Sequence, residues 1–546
     1  MRTFTLPARL LSFLFFLIVL FTFSPAKATD FYFYVQFSDK NNSPYQLENP
    51  EEFLSERAIE RRNFFSLPVD STDLPVNPSY LSQVANLGGM IHSQSRWLNG
   101  ATVVLQDSAL IQQVGSLSFV KWVQYTGKKT VASNVPKRPS KFSAAVDYGL
   151  SGPQIEQVKG NFLHESGYLG KNIIVGVLDA GFLNVDVNPA FDSLRLQGRL
   201  LGTKDFVGGS DVFRGNFHGG NVLSIMAGNL PQNYLGTAPE ASYWLIRTED
   251  VETEYLKELD FWVAGLEFAD SVGADVVNSS LGYFTFDDPA MNFTYADMNG
   301  DVSRAAKAAS MAAQKGMIVV CSAGNEGDKT WKYISTPADA KKIVTVGGVT
   351  ADGTPSVFSS FGPSADGRVK PEICARGTQT VLVNSSGNVV AGNGTSYSSP
   401  LACGLMACYL QYFKDQHKVI SIPQLLQSVF GTGSLYNSPT EQMGYGIPDF
   451  QLAFLSTTSN GLSTCSDDQP QWLVDLRNKN IQLIFPDKND NSTLFVQIHA
   501  VNGNLLFNSY SRSSSIVLPI DNLSSGIYLV SVENNGKIFS KKILVP

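Results

Sequence analysis

Three short stretches of the chain hold side chains that could do chemistry together. In NIIVGVLDAGF, Asp179 follows a run of apolar residues, so its carboxylate is expected at the carboxyl edge of a buried strand. In NFHGGNVLSIMAG, His218 stands before Gly219-Gly220 and an apolar, helix-like pattern. In GNGTSYSSPLACGLMACYL, Ser396 begins a helix rich in small residues, with Pro400 expected in its first turn. Each has an ordinary reading: Asp opens turns, a lone histidine is usually structural, and serine caps helices. As a set they describe acyl transfer. A serine hydroxyl becomes a strong nucleophile when an imidazole takes its proton and a carboxylate fixes that imidazole's tautomer. A helix amino terminus adds positive partial charge beside the nucleophile.

Competing chemistries fit less well. A nucleophile elbow needs GxSxG and the order Ser, Asp, His, whereas the serine here lies in Gly394-Thr395-Ser396-Tyr397-Ser398 and comes last. A metal hydrolase would need HExxH or a His/Asp cluster, and neither is present. Asp297-x-Asn299-x-Asp301 has the oxygen spacing of a calcium loop without its distal glutamate. The five cysteines, at 321, 374, 403, 408 and 465, form neither a CxxC metal pattern nor a disulfide framework.

The elements that would position these residues are legible around them. NIIVGVL, ASYWLIRT, ADVVNSSLG, GMIVVCSAGN and KKIVTVGGV read as short buried strands. Helical runs such as EYLKELDFWVAGLEFADSVG and DVSRAAKAASMAAQKG lie between several of them. That alternation predicts an α/β fold, a doubly wound parallel sheet covered on both faces, with its ligand crevice at the carboxyl ends of the strands. Before it, FYFYVQFSDK, SRWLNGATVVL and FVKWVQY read as strands, and PEEFLSERAIERR and DSALIQQVGSL as helices, which suggests a small α/β unit. The basic, Pro-containing stretch 127–141 reads as a linker. After the polar stretch 457–470, IQLIF, TLFVQIHA, NLLFNSY, SIVLPI, GIYLVSVEN and KIFSKKILV, with turns at Asn502-Gly503 and Asn535-Gly536, predict a β-sandwich.

At 546 residues the chain exceeds one ordinary domain, and 43% hydrophobic against 16% charged residues excludes a disordered polymer. A net charge of −7 gives no reason to expect nucleic acid as a partner. Arg2 and Arg9, the apolar run Leu10–Phe23 and Ala26-Lys27-Ala28 read as a signal peptide over 1–28. The run is shorter than the roughly 20 residues of a spanning helix, and no later stretch qualifies, so no transmembrane anchor is expected.

The motifs resemble those of the subtilisin-like serine peptidases over about residues 150–455. VLDAGF is similar to their aspartate motif, HGGNV to HGTxV, and NGTSYSSP to NGTSxxxP. VNSSLG resembles the strand that binds substrate backbone, and SAGNEG the segment with the oxyanion asparagine. SSFGP and KPEICARG are weaker echoes. Gly220 stands where the family usually has threonine, Asn221 where a second histidine is frequent, and Arg376 where a proline is usual. The resemblance implies a secreted serine endopeptidase with Asp179, His218 and Ser396 as triad and Asn325 at the oxyanion. It also implies Ser280, Leu281 and Gly282 as substrate strand. No cofactor is implied for the chemistry, structural calcium is compatible, and no metal ligands follow. Protein or peptide substrates follow.

The flanks resemble, respectively, an inhibitor-like propeptide over 29–133 and a type IX secretion sorting domain over 468–546, the latter through Gly526, Tyr528 and Lys541-Lys542. The peptidase domain is then expected over 148–457, and the mature protein in the medium or at the cell surface. The alternative from another class is a catalytically inactive surface or adhesion protein that kept the fold.

Overall fold

The computed structural model describes residues 29–129, 148–458 apart from 210, and, beyond them, 471–475, 480–484, 493–500, 504–511, 515–524, 526–534 and 537–545. The expected signal peptide, most of the expected 127–141 linker, Cys465, the bulk of the polar stretch 457–470 and both expected Asn-Gly turns lie outside the described residues.

The amino-terminal unit is an antiparallel sheet of β1 (Asp30–Phe37), β2 (Met90–Ser95), β3 (Gly100–Leu105) and β4 (Val120–Lys129), in the order β2-β3-β1-β4. The segment SRWLNGATVVL is not one strand: Arg96–Asn99 turn between β2 and β3. Alternation along β1 divides its labour. Phe33, Val35 and Phe37 enter the unit's own core with Val84, Val103 and Val114. Tyr32, on the opposite face, packs with Val104 of β3 and with Val207 and Phe261 of the next domain.

The central domain holds seven parallel strands: β5 (Ile174–Asp179), β6 (Leu200–Asp205), β9 (Ser242–Arg247), β10 (Val276–Ser279), β11 (Ile318–Ser322), β12 (Val344–Val349) and β13 (Ile373–Arg376). A two-strand ribbon, β7 (Asn229–Leu230) with β8 (Tyr234–Leu235), lies outside the sheet. The order β13-β12-β11-β10-β5-β9-β6 reverses direction at β5. Such a reversal opens a crevice beyond the carboxyl ends of β5 and β10. The two edge strands escape the sequence pattern for opposite reasons: β6 is only partly buried and carries Gly202 and Lys204, and β13 has four residues.

One face of the sheet packs against helices His218–Ala227 and Thr395–Asp415, the other against Lys257–Ser271 and Arg304–Gln314. Helix Thr395–Asp415 is apolar on nearly all sides because it is buried on nearly all sides. The expected small alanine-rich helix at 304–314 presents Ala305, Ala308, Ala309 and Ala312 to the core, where small side chains permit close packing.

The carboxy-terminal strands form two antiparallel sheets, Gln471–Asp475, Asn480–Ile484 and Ser515–Pro519 against Leu494–Ala500, Leu505–Ser511, Gly526–Asn534 and Lys537–Val545. Ile481, Leu483, Ile516 and Leu518 of one share a core with Val496, Ile498, Val530 and Val532 of the other. This is the expected β-sandwich.

Candidate active site

Asp179 ends β5 at the crevice and is fully buried. Its Oδ1 accepts the Ala180 amide (2.7 Å) and the His218 Nδ1–H (2.8 Å), which fixes the imidazole with Nε2 free. Oδ2 has no hydrogen-bond partner among the described residues. The close approach depends on Gly219. A Cβ there would lie 2.5 Å from the Gly181 carbonyl and 2.8 Å from the Asp179 Cβ, so a larger residue would push the helix away. The Asn216 side-chain oxygen accepts the His218 amide (2.7 Å), which satisfies the first N–H of that helix. A Cβ at Gly220 would meet Val185 at 3.3 Å and reaches neither Asp179 nor His218. Burial opposes a charge on His218, but the charge and hydrogen bond of Asp179, with Glu249 beyond, outweigh it and raise its pKa above the ordinary imidazole value.

Ser396 is the second residue of helix Thr395–Asp415, entered from Gly394 at φ +146, a backbone that favours glycine. Its amide is among the first-turn N–H groups that a helix cannot pair internally. Pro400 lies in the second turn, not the first. It lacks the N–H that would bond the Ser396 carbonyl four residues back. The Ser280 hydroxyl donates to that carbonyl instead (2.9 Å), while the Ser396 hydroxyl donates to the Ser280 carbonyl (3.4 Å). The Tyr397 ring stacks 6.2 Å from the His218 ring, so the serine and histidine helices meet at the crevice.

Asn325 follows β11. Its Oδ1 accepts the Thr395 amide (2.8 Å) and hydroxyl (3.1 Å), which turns the Nδ2 donors to the other side. The Thr395 hydroxyl also lies 3.1 Å from the Gly324 carbonyl. Thr395, which sequence reading passed over as a neighbour of the serine, therefore pins the asparagine loop to the serine helix. Ser280, Leu281 and Gly282 continue beyond β10. Asn278 links them inward, donating to the Ser280 hydroxyl (3.1 Å) and accepting from Ser399 (2.8 Å). Tyr283 then pairs with Thr336 through both amides, 2.9 and 3.2 Å.

Sequence reading also missed Glu249, two residues past β9. Its Oε2 accepts the Tyr283 hydroxyl (2.7 Å), and its charge reaches Asp179 and His218. No motif marks it, because its placement depends on the loop after β9 folding back toward the crevice. In the Asp297–Asp301 loop the side chains serve local bonds: Asp297 accepts Thr294 (2.7 Å), Asn299 accepts the Asp301 amide (2.8 Å), and Asp301 pairs with Lys341. Cys321, Cys374, Cys403 and Cys408 are free and buried.

A carboxylate-oriented imidazole, a serine at a helix amino terminus and a side-chain amide beside it can support acyl transfer. Residues 170–446 match the Subtilase family model, 32–142 the S8 propeptide domain of Bacteroidota, and 478–546 a secretion system C-terminal sorting domain. Subtilisin NAT of Bacillus subtilis subsp. natto is 27% identical over 330 residues, 60% of this chain and 74% of that one. Serine protease AprX of Bacillus subtilis (strain 168) is 28% identical over 279 residues, 45% and 58% of the two chains. The solved structure of MycP1 without its N-terminal propeptide aligns with a TM-score of 0.42 and 20% identity, over 55% of this chain and 96% of that one.

The chain belongs to the subtilase family. It is a serine endopeptidase of that family, carrying a propeptide domain and a type IX sorting domain. Among the described residues no helix is long and apolar enough to cross a membrane.

Proposed function

We propose that peptide-bond hydrolysis runs through Asp179, His218 and Ser396. The observation that carries this is the 2.8 Å Asp179–His218 bond beside a serine at an unpaired helix amino terminus. His218 Nε2 takes the proton of Ser396 as its oxygen attacks the scissile carbonyl, and Asp179 stabilises the resulting imidazolium. The oxyanion is held by the Ser396 amide and the Asn325 Nδ2 group. The proton then passes from His218 to the leaving amine, and water releases the acyl group by the reverse path. Ser280, Leu281 and Gly282 bind the substrate backbone as an added strand. Nothing in these steps requires a cofactor.

The domain division 29–133, 148–457 and 468–546 follows the same reading. The first unit acts as an inhibitor in place until it is cut away, and the last delivers the enzyme across the outer membrane by the type IX machinery. Support for the first role is the way the amino-terminal unit grips the helix Lys257–Ser271. Ser95 and the Arg96 amide donate to Glu267 (2.5 and 2.8 Å), and Arg61, Arg62 and Arg96 converge on Asp270. The decisive experiment is covalent labelling with a fluorophosphonate. The processed enzyme should take one label at Ser396, and the Ser396→Ala chain none. An unlabelled but folded parent would favour the inactive, adhesive alternative.

A further inference from the structure

We propose that Glu249, Glu254 and Glu258 bind one hard divalent cation of the calcium class, at the lip of the crevice beside His218. One carboxylate oxygen from each lies within 4.8 Å of the others. Calcium holds oxygen ligands at about 2.3–2.6 Å, so oxygens across such a site stand no more than about 5 Å apart. Three carboxylates offer six oxygens, enough for its usual coordination without nitrogen or sulfur.

The second observation is Glu258 itself. It is 0% exposed, and among the described residues no N–H or hydroxyl donor reaches either of its carboxylate oxygens, its close side-chain neighbour being the Glu249 carboxyl of the same cluster. A buried carboxylate normally finds a cation or donors. The nearby cations are committed elsewhere. Lys257 Nζ pairs with Asp250 (2.8 Å) and lies 5.1 Å from the centre of the Tyr32 ring, and Lys129 also pairs with Asp250 (3.2 Å). Asp287 adds further negative charge, its carboxylate accepting the Glu254 amide (3.2 Å). Tyr283 orients Glu249 by donating to one oxygen (2.7 Å).

A lysine or arginine of a substrate fits less well. Glu258 presents no surface for a long side chain to reach, whereas the partly exposed Glu249 and Glu254 leave a path for a small ion. The bound ion would tie the loop after β9 to helix Lys257–Ser271 and, through Tyr283, to the end of the substrate strand.

The test uses the chain lacking only its signal peptide and carrying Ser396→Ala, so that neither turnover nor self-digestion enters and the triad assignment is not at stake. Calcium binding is titrated by calorimetry, and terbium binding by luminescence sensitised through neighbouring tyrosines. The parent should bind, and its stoichiometry should fall by one in Glu258→Gln and again by one in a separate Glu249→Gln chain. The calcium-induced rise in melting temperature should shrink with it. Circular dichroism establishes that both variants fold, and Glu254→Gln, on a partly exposed residue, serves if Glu258→Gln does not. Unchanged stoichiometry in the folded variants would overturn the proposal. So would a parent that binds neither ion, and a preference for basic residues lost in Glu249→Gln of the active enzyme would then make the cluster a substrate subsite.

Discussion

In the resting chain the Ser396 hydroxyl donates to the Ser280 carbonyl, so on the proposed mechanism it must rotate toward His218 as substrate binds. Catalytic hydrogen bonds commonly tighten only in the substrate complex. Ser396→Ala should leave a folded precursor with casein hydrolysis near background. The loss should be on the order of 10⁶-fold in kcat, the size seen when a subtilisin loses its nucleophile. Asn325→Ala removes one oxyanion donor and should cost about 100–1,000-fold in kcat, again by subtilisin precedent, with KM little changed. Parental activity in either variant would remove that residue from the mechanism.

The pH profile belongs to the same scale. His218 must be neutral to accept a proton, and its raised pKa keeps it protonated to higher pH than a free imidazole. Activity is therefore lost below the raised value and gained above it. The acid limb of kcat/KM should have its midpoint above about 6.5, the reference for imidazole. His218→Gln should abolish the limb together with most of the activity. A midpoint at or below the reference would contradict the Asp179 interaction as drawn.

At the scale of elements, helix Lys257–Ser271 is the shared wall between the amino-terminal unit and the sheet. Asp270 is buried there among Arg61, Arg62 and Arg96. Burial alone would raise its pKa, but the three guanidinium groups more than reverse this and hold it well below the carboxylate range. A depressed carboxylate stabilises the fold fully above its unfolded pKa of about 3.9, and that contribution is lost as pH falls toward the folded value. Asp270→Asn leaves buried arginines uncompensated. It should cost about 3–5 kcal/mol, the usual penalty for breaking a buried pair. The urea midpoint of the Ser396→Ala precursor should fall accordingly near neutral pH, and the gap between the two chains should narrow in strong acid. Equal midpoints at pH 7 would show that the arginines find other partners.

At the scale of the molecule, the core of the carboxy-terminal sandwich is made, among the described residues, of side chains from 481–545. The residues proposed for catalysis all lie in 179–396. A chain ended after residue 458 should therefore keep its peptidase activity when made in a heterologous periplasm. In its own host the same chain should stop between the membranes, assayed by fractionation. Normal surface delivery of the truncated chain would remove the sorting role, and loss of activity would move the domain boundary.

Much of this was written in local sequence. Apolar runs that are buried on both faces announce β5, β10, β11 and β12, and the residue after such a run falls at the crevice, so Asp179 could be placed from its neighbours alone. His218 before two glycines and Ser396 before a small-residue helix were legible for the same local reason. The edge strands β6 and β13 were not, because β6 is only partly buried and β13, though buried, has only four residues. Tertiary structure decided everything that depends on two distant segments meeting. It seats Ser280 on the carbonyl that Pro400 leaves without a helical donor, clamps Asn325 with Thr395, and gathers three glutamates from a loop and a helix beside the imidazole. Distances between such side chains follow from how the sheet reverses at β5 and how the loops pack over it, and no residue's own neighbours in sequence encode them.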